Sequence, residues 1–167
     1  MRIRILLAAC CLLFVVVSIL TKPTVSVRAQ DGEKPKTGAV LNKGFQEVSG
    51  WITKSADMVP AEKYEYKPID GVRTFGQLIA HVTDSYVYFC AHGGGNKVQW
   101  SDAVEKGKTD KATLVAKLKE ATDKCNAVYS SESAQFPPLM DNIAHTNLHY
   151  GNIITYLRMM GMKPPSS

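Results

Sequence analysis

His145 and His149 stand four residues apart in the stretch from Pro137 to Gly161, PPLMDNIAHTNLHYGNIITYLRMMG. Imidazoles at that spacing on a helix can bind one divalent metal without bending the backbone. Both ends of the stretch carry helix boundary signals: prolines that only a first turn tolerates, and a glycine followed by Lys163, Pro164 and Pro165. At about 100° per residue, the two histidines share a polar stripe with Asn142, Asn152 and Tyr156. An apolar face of Leu139, Ile143, Tyr150, Ile153, Ile154, Leu157 and Met160 runs beside it. The pair alone is weak evidence, because two histidines hydrogen-bonded to neighbours such as Asn142 and Tyr156 satisfy the same pattern. Thr146, Asn147 and Leu148 fill the interval, so the glutamate that serves H-E-x-x-H peptidases as general base is missing and the pattern speaks against a zincin-type peptidase.

A third histidine sits on another predicted helix. Thr74 with Gln77 three residues later forms a capping box, FGQLIAHVTDSYVYFCAH follows, and Gly93, Gly94 and Gly95 stop it. Phe75, Leu78, Ile79, Val82, Tyr86 and Phe89 make its core stripe, with His81, Ser85 and Tyr88 on one flank. If this helix neighbours the last one, His81 joins His145 and His149 as three nitrogen ligands with a fourth position open, the arrangement of a catalytic rather than a structural zinc site. Binding through neutral imidazoles should weaken below about pH 6. His92 lies about 16 Å further along the helix axis, outside such a site, and reads as a cap of the helix end. Asp84 either orients a ligand from behind or is an ordinary exposed carboxylate. Tyr88, Asn142, Asn152 and Tyr156 are candidates to contact a ligand or to orient imidazoles.

Two more helices are needed to hold these residues. Val40, Leu41, Phe45, Val48, Trp51, Ile52 and Met58 recur at helical spacing and predict a first helix from about Ala39 to Met58, ended by Pro60. An ordered connection, PAEKYEYKPIDGVRT, follows, in which Tyr64 and Tyr66 supply area to pack. A third helix is expected from about Lys111 to Ser131, capped by Thr109 or Asp110, with Leu114, Val115, Leu118, Ala121, Cys125 and Val128 inward. Between the second and third helices, residues 93–109 lack a strong pattern and read as a long surface loop whose Trp100 is pinned to the domain. Such a loop is long enough for those two helices to run parallel. The fold class expected is all-α: a four-helix bundle with a long crossover loop between helices 2 and 3.

The chain opens with Arg2 and Arg4, an apolar run from Ile5 to Leu20, and a polar stretch to Ala29. This is the order of a secretory signal peptide, so residues 1–29 are expected to be removed and the protein exported, periplasmic or secreted. A lipoprotein cleavage box at Leu7-Ala8-Ala9-Cys10 fits less well, since too little apolar sequence precedes Cys10. Residues 30–38, QDGEKPKTG, read as a mobile tether, and 39–165 as the folded domain. The leader takes four basic residues and no acids, so a formal charge of +5 becomes 5 − 4 = +1. That excludes an electrostatic footprint for nucleic acid, and no stable membrane span remains after cleavage. Cys90 and Cys125 stay in an oxidising compartment, late in the second and third helices. A disulfide between them is open, because nothing in the spacing brings their Cα atoms within roughly 7 Å.

YKPIDGVRTFGQLIAHVTDS, HTNLHYGNIITYLRMMGMKPP and the long loop before the third helix together resemble the DinB-like four-helix proteins, also called DinB/YfiT-like metalloenzymes, over about residues 39–165. They are unrelated to the DNA polymerase sharing that name. The resemblance implies a divalent metal, zinc or nickel, on His81, His145 and His149. Some relatives activate a low-molecular-weight thiol for transfer or isomerisation; the leader departs from that pattern, since those thiols are cytosolic. The readings that compete are a metal-dependent hydrolase- or transferase-type enzyme acting on an unknown small molecule, a non-catalytic metal- or ligand-binding module, and a plain helical interaction domain. A homodimer is compatible with each.

Overall fold

The computed structural model describes residues 36–107 and 110–167; the leader, residues 30–35 of the tether and Thr109 lie outside them. Its helices are α1 (Thr37–Met58), α2 (Phe75–Gly93), α3 (Lys111–Tyr129) and α4 (Phe136–Met159), and no strand occurs among the described residues. The fold is therefore all-α. Thr37 and Gly38 open α1, so the helix takes in the last two residues assigned to the tether.

Local chemistry sets where each helix begins. The Thr74 hydroxyl accepts the Gln77 N–H at 3.2 Å and the Gln77 carboxamide accepts the Thr74 N–H at 2.9 Å, closing the capping box of α2. A cap of this kind stabilises by about 1 kcal/mol. Asp110 does the same for α3, accepting from the Thr113 N–H at 2.9 Å. In α4 prolines occupy the first turn, where their missing N–H groups would have no partner in any case.

The connection after α1 sets the helix directions. Tyr64 is buried, donates its hydroxyl to the Ala56 carbonyl at 2.6 Å, and accepts the Gly76 N–H on its own carbonyl at 2.8 Å. Lys111 Nζ reaches the carbonyls of Asp57 and Val59 at 2.7 and 2.9 Å, a cation at a helix C-terminus. Both α2 and α3 thus start beside the end of α1. A disulfide joins Cys90 to Cys125 near their other ends, with Cα atoms 5.3 Å apart, so the two helices run in the same direction. Tyr156 returns to the start of α2, donating to the Arg73 carbonyl at 2.7 Å, which makes α4 antiparallel to α2.

The core lies between these four helices. Phe45 stacks on Tyr129 with centroids 4.5 Å apart and meets Tyr86 edge-on at 5.2 Å. Gly93 is required by packing: a Cβ there would run into the Leu139 side chain, which is fully buried. On α4 the buried seam differs from the apolar face read from sequence. Asn142, Thr146 and His149 are buried with Leu139, Tyr150, Ile153 and Leu157, whereas Ile143 and Ile154 are only half-buried. The last helix faces α2 along its mixed stripe because α1 takes the aliphatic flank, with Ile143 near Gly44 and Tyr150 stacked on Trp51 at 5.2 Å. Among the described residues no helix is long and apolar enough to cross a membrane.

Candidate metal centre

α2 and α4 lie against each other, and their histidines meet. The imidazole centroids are 4.7 Å apart for His81 and His149, 5.2 Å for His81 and His145, and 4.4 Å for His145 and His149. One ligand nitrogen from each ring lies within 4.8 Å of the other two. His145 Nε2 and His149 Nε2 face each other at 3.2 Å. Two nitrogens on a tetrahedral ion at metal–nitrogen distances of about 2.0–2.1 Å are about 3.3 Å apart, so the α4 pair already has the separation a shared ion requires. The donor set, three imidazole nitrogens on two rigid helices, could hold one metal ion.

Burial keeps the imidazoles neutral. It lowers the pKa of His145 to about 4, with His81 and Arg73 adding to the effect, and that of His149 to about 4, with His145, His81 and Arg73 adding. His81 is also lowered, mainly by burial and then by Arg73, against the opposing pull of Glu105. The proton competition expected near pH 6 therefore moves to lower pH, because these rings are drier than an exposed histidine. Their folded pKa lies below the unfolded value. In metal-free protein this contributes stability that is complete above about pH 6.5 and is lost as pH falls towards 4. Metal affinity, read by chelator competition, should stay nearly flat from pH 7 to about 5.5 and fall steeply below about 5. A midpoint near pH 6.5 would mean that the rings are not buried in solution.

The loop after α2 builds the second half of the site. Trp100 packs on His81 and His145 at centroid distances of 5.6 and 6.3 Å and donates its indole N–H to Asp102 at 2.7 Å. Glu105 Oε2 lies 3.3 Å from His81 Nδ1, and Arg73 Nε donates to Glu105 Oε1 at 2.7 Å. His81, Asp102 and Glu105 form a second cluster of metal-ligating types. The Arg73 guanidinium, with Nη2 3.3 Å from His81 Nδ1 and 3.3 Å from Glu105 Oε2, already places a cation there.

The remaining candidates divide. Asp84 is not an exposed carboxylate: it is 4% exposed and accepts the N–H groups of Val104 and Glu105, each at 3.0 Å, which pins the loop. Asn142 points away from the histidines into the core, its amide on the Tyr129 hydroxyl at 3.3 Å and the Cys90 sulfur at 3.5 Å. Tyr88 packs on Trp100 and His92 at 5.4 and 4.6 Å and supports the loop. His92 stays outside the cluster. A nitrogen of its ring lies 2.9 Å from the Val98 carbonyl, so it ties down the loop rather than capping α2. Asn152 and Tyr156 line a groove of about 750 Å³ beside His149, with Arg73, Gln77 and Glu105 among the polar walls and Pro68, Ile69, Val72, Leu78 and Met159 among the apolar ones.

Arg73, Trp100 and Glu105 had no ligand or site signal in the sequence. They come from a cap-preceding position and an aperiodic loop, where no spacing rule relates them to His81.

The comparisons agree with this architecture. A crystal structure of a DinB-like protein from Bacillus cereus ATCC 10987 superposes with a TM-score of 0.62 at 17% identity, covering 75% of this chain and 93% of that one. No curated protein matches the chain significantly in sequence. The family model of the DinB superfamily matches residues 52–162, which carry all three clustered histidines. The chain belongs to the DinB superfamily.

Proposed function

We propose that this is an exported protein that holds one zinc or nickel ion on His81, His145 and His149 and acts as a hydrolase- or transferase-type enzyme on a small molecule entering the groove beside His149. The observation that carries the reading is the convergence of three neutral imidazole nitrogens within 4.8 Å from two helices. An ion with three protein ligands and an open position supplies a Lewis acid that polarises an oxygen or sulfur nucleophile near neutral pH. The chain's own residues shape the approach. Trp100 covers His81 and His145 on one side, which leaves His149 as the histidine that lines the groove. The carboxamides of Gln77 and Asn152 offer donors and acceptors along the groove walls. Tyr156 is held by its bond to the Arg73 carbonyl and fixes the wall in place. Export is supported by the leader and by the Cys90–Cys125 disulfide, which suits an oxidising compartment.

One observation favours a non-catalytic metal- or ligand-binding module instead. Glu105, the carboxylate of the groove wall, is engaged by Arg73 and adjoins His81, so it is not free to serve as a general base. Metal analysis of protein from the envelope fraction should give one zinc or nickel per chain beginning near Gln30. Retention of Met1 together with fractionation to the cytoplasm would overturn export, and absence of stoichiometric metal would overturn the metal site. Turnover of ester, amide or thiol probes that vanishes on chelation and returns with metal supports the enzyme. Loaded protein without such turnover supports the module.

A further inference from the structure

We propose that the groove beside His149 selects an uncharged, elongated acyl compound, a carboxylic ester or amide, with its carbonyl head at His149 and an unbranched aliphatic tail on Ile69, Val72 and Met159. This deepens the metal reading and rests on it for the placement of the head, whereas the site for the tail stands independently.

The groove is polarised along α4. His149, Asn152, Tyr156 and Met159 all line it. At about 100° and 1.5 Å per residue, the last three stand about 5, 11 and 15 Å along the axis from His149, all within about 80° of one another. The facing wall changes character over the same length. At the histidine end it is polar, with Glu105 3.3 Å from His81 and Gln77 one turn before His81 on α2. Tyr156 donates to the Arg73 carbonyl, so the chain leading to Arg73 lies at the Met159 end. That chain brings Ile69 and Val72, which are 66% and 39% exposed, to the groove that Met159, 56% exposed, also lines. Apolar side chains gathered in one groove with a polar border mark a ligand site, whereas singly scattered ones do not.

The apolar wall is formed before a ligand arrives. Lys67 Nζ pairs with Asp70 at 2.7 Å, and Gly71 takes a φ of 83° that a side chain would oppose. The N–H groups of Phe75 and Gly76 bind the carbonyls of Tyr66 and Tyr64, each at 2.8 Å, which ties the far end of the turn to the domain. Charge narrows the ligand class. Among the described residues the charged side chains of the groove are Arg73 and Glu105, and they pair at 2.7 Å. The walls therefore offer no net charge to an ionic body, and the volume of about 750 Å³ suits a small molecule rather than a folded partner.

The test measures a homologous series of straight-chain hydroxamates, acetohydroxamate to octanohydroxamate, on zinc-loaded protein, and the matching primary amides on metal-free protein by NMR titration. In both series affinity should rise about twofold to threefold per methylene, below the roughly fourfold of complete burial because the exposed wall leaves one side in water. The longest compound should thus bind on the order of 100-fold more tightly than the shortest. Ile69→Asp with Met159→Asp, both at exposed positions, should cut that ratio by about tenfold or more. Circular dichroism and zinc titration report whether the double variant keeps its fold and its metal site. A flat series in the wild type would overturn the proposal, as would an unchanged ratio in the folded double variant. A flat series together with a wild-type dimer that the double variant loses would make the wall a contact between copies instead. If wild-type protein takes no zinc, the metal reading fails and the amide series alone decides the site for the tail.

Discussion

Replacing His149 by alanine should lower zinc affinity by about 10²–10³-fold. Structural zinc sites with four ligands bind with about 10–16 kcal/mol, so one ligand is worth roughly 3–4 kcal/mol, and each 1.4 kcal/mol is a factor of ten. His81→Ala and His145→Ala should lose similar amounts, because the three rings form one cluster. His92→Ala is the control. Its ring binds the Val98 carbonyl outside the cluster, so affinity should stay within about threefold of wild type. The metal-free variants should remain folded. Nδ1 of both His145 and His149 is buried without a partner, and removing such a ring removes an unsatisfied group along with its packing. Chelator competition with metal analysis reads the affinities, and the rise in melting temperature on adding zinc reads the linkage. Loss of stoichiometric metal in His92→Ala with retention in His81→Ala would place the ion elsewhere.

The largest expected effect on stability is at the Cys90–Cys125 disulfide. The bridge closes a loop across a sequence separation of 35. In the chain-entropy account a loop of that size restricts the unfolded chain by about 4 kcal/mol. Cys90→Ala with Cys125→Ala should therefore lower the unfolding free energy by about 3–4 kcal/mol and the melting temperature by roughly 10–20 °C, measured by guanidinium and thermal denaturation. Metal affinity should change little, because Cys90 is about 13 Å along α2 from His81. Equal denaturation midpoints for the double variant and the oxidised protein would show that the bridge contributes nothing. Two free thiols in exported protein would show that it does not form.

Sequence alone determined the helices and the register of their histidines. Capping chemistry is local, so the Thr74–Gln77 box and the prolines in the first turn of α4 could be read without knowing any partner helix. The period of 3.6 residues put His145 and His149 on one side of α4 and set His92 apart from His81 by length along the axis. Three histidines of two helices then needed only one tertiary fact, that α2 and α4 are neighbours.

Tertiary structure decided what each face meets. The stripe holding Asn142 looked like the metal-site stripe, yet in the packed bundle Asn142 points to Tyr129 and Cys90, because one helix face spans more than one neighbour. Asp84 looked exposed, yet it is buried under a loop whose course no periodicity describes. Glu105, Arg73 and Trp100 surround His81 for the same reason. A repeating pattern reports which side chains share a side of one element, but the contacts of an aperiodic loop arise only when distant parts of the chain are brought together. Here that junction is made by two backbone N–H groups on one buried carboxylate.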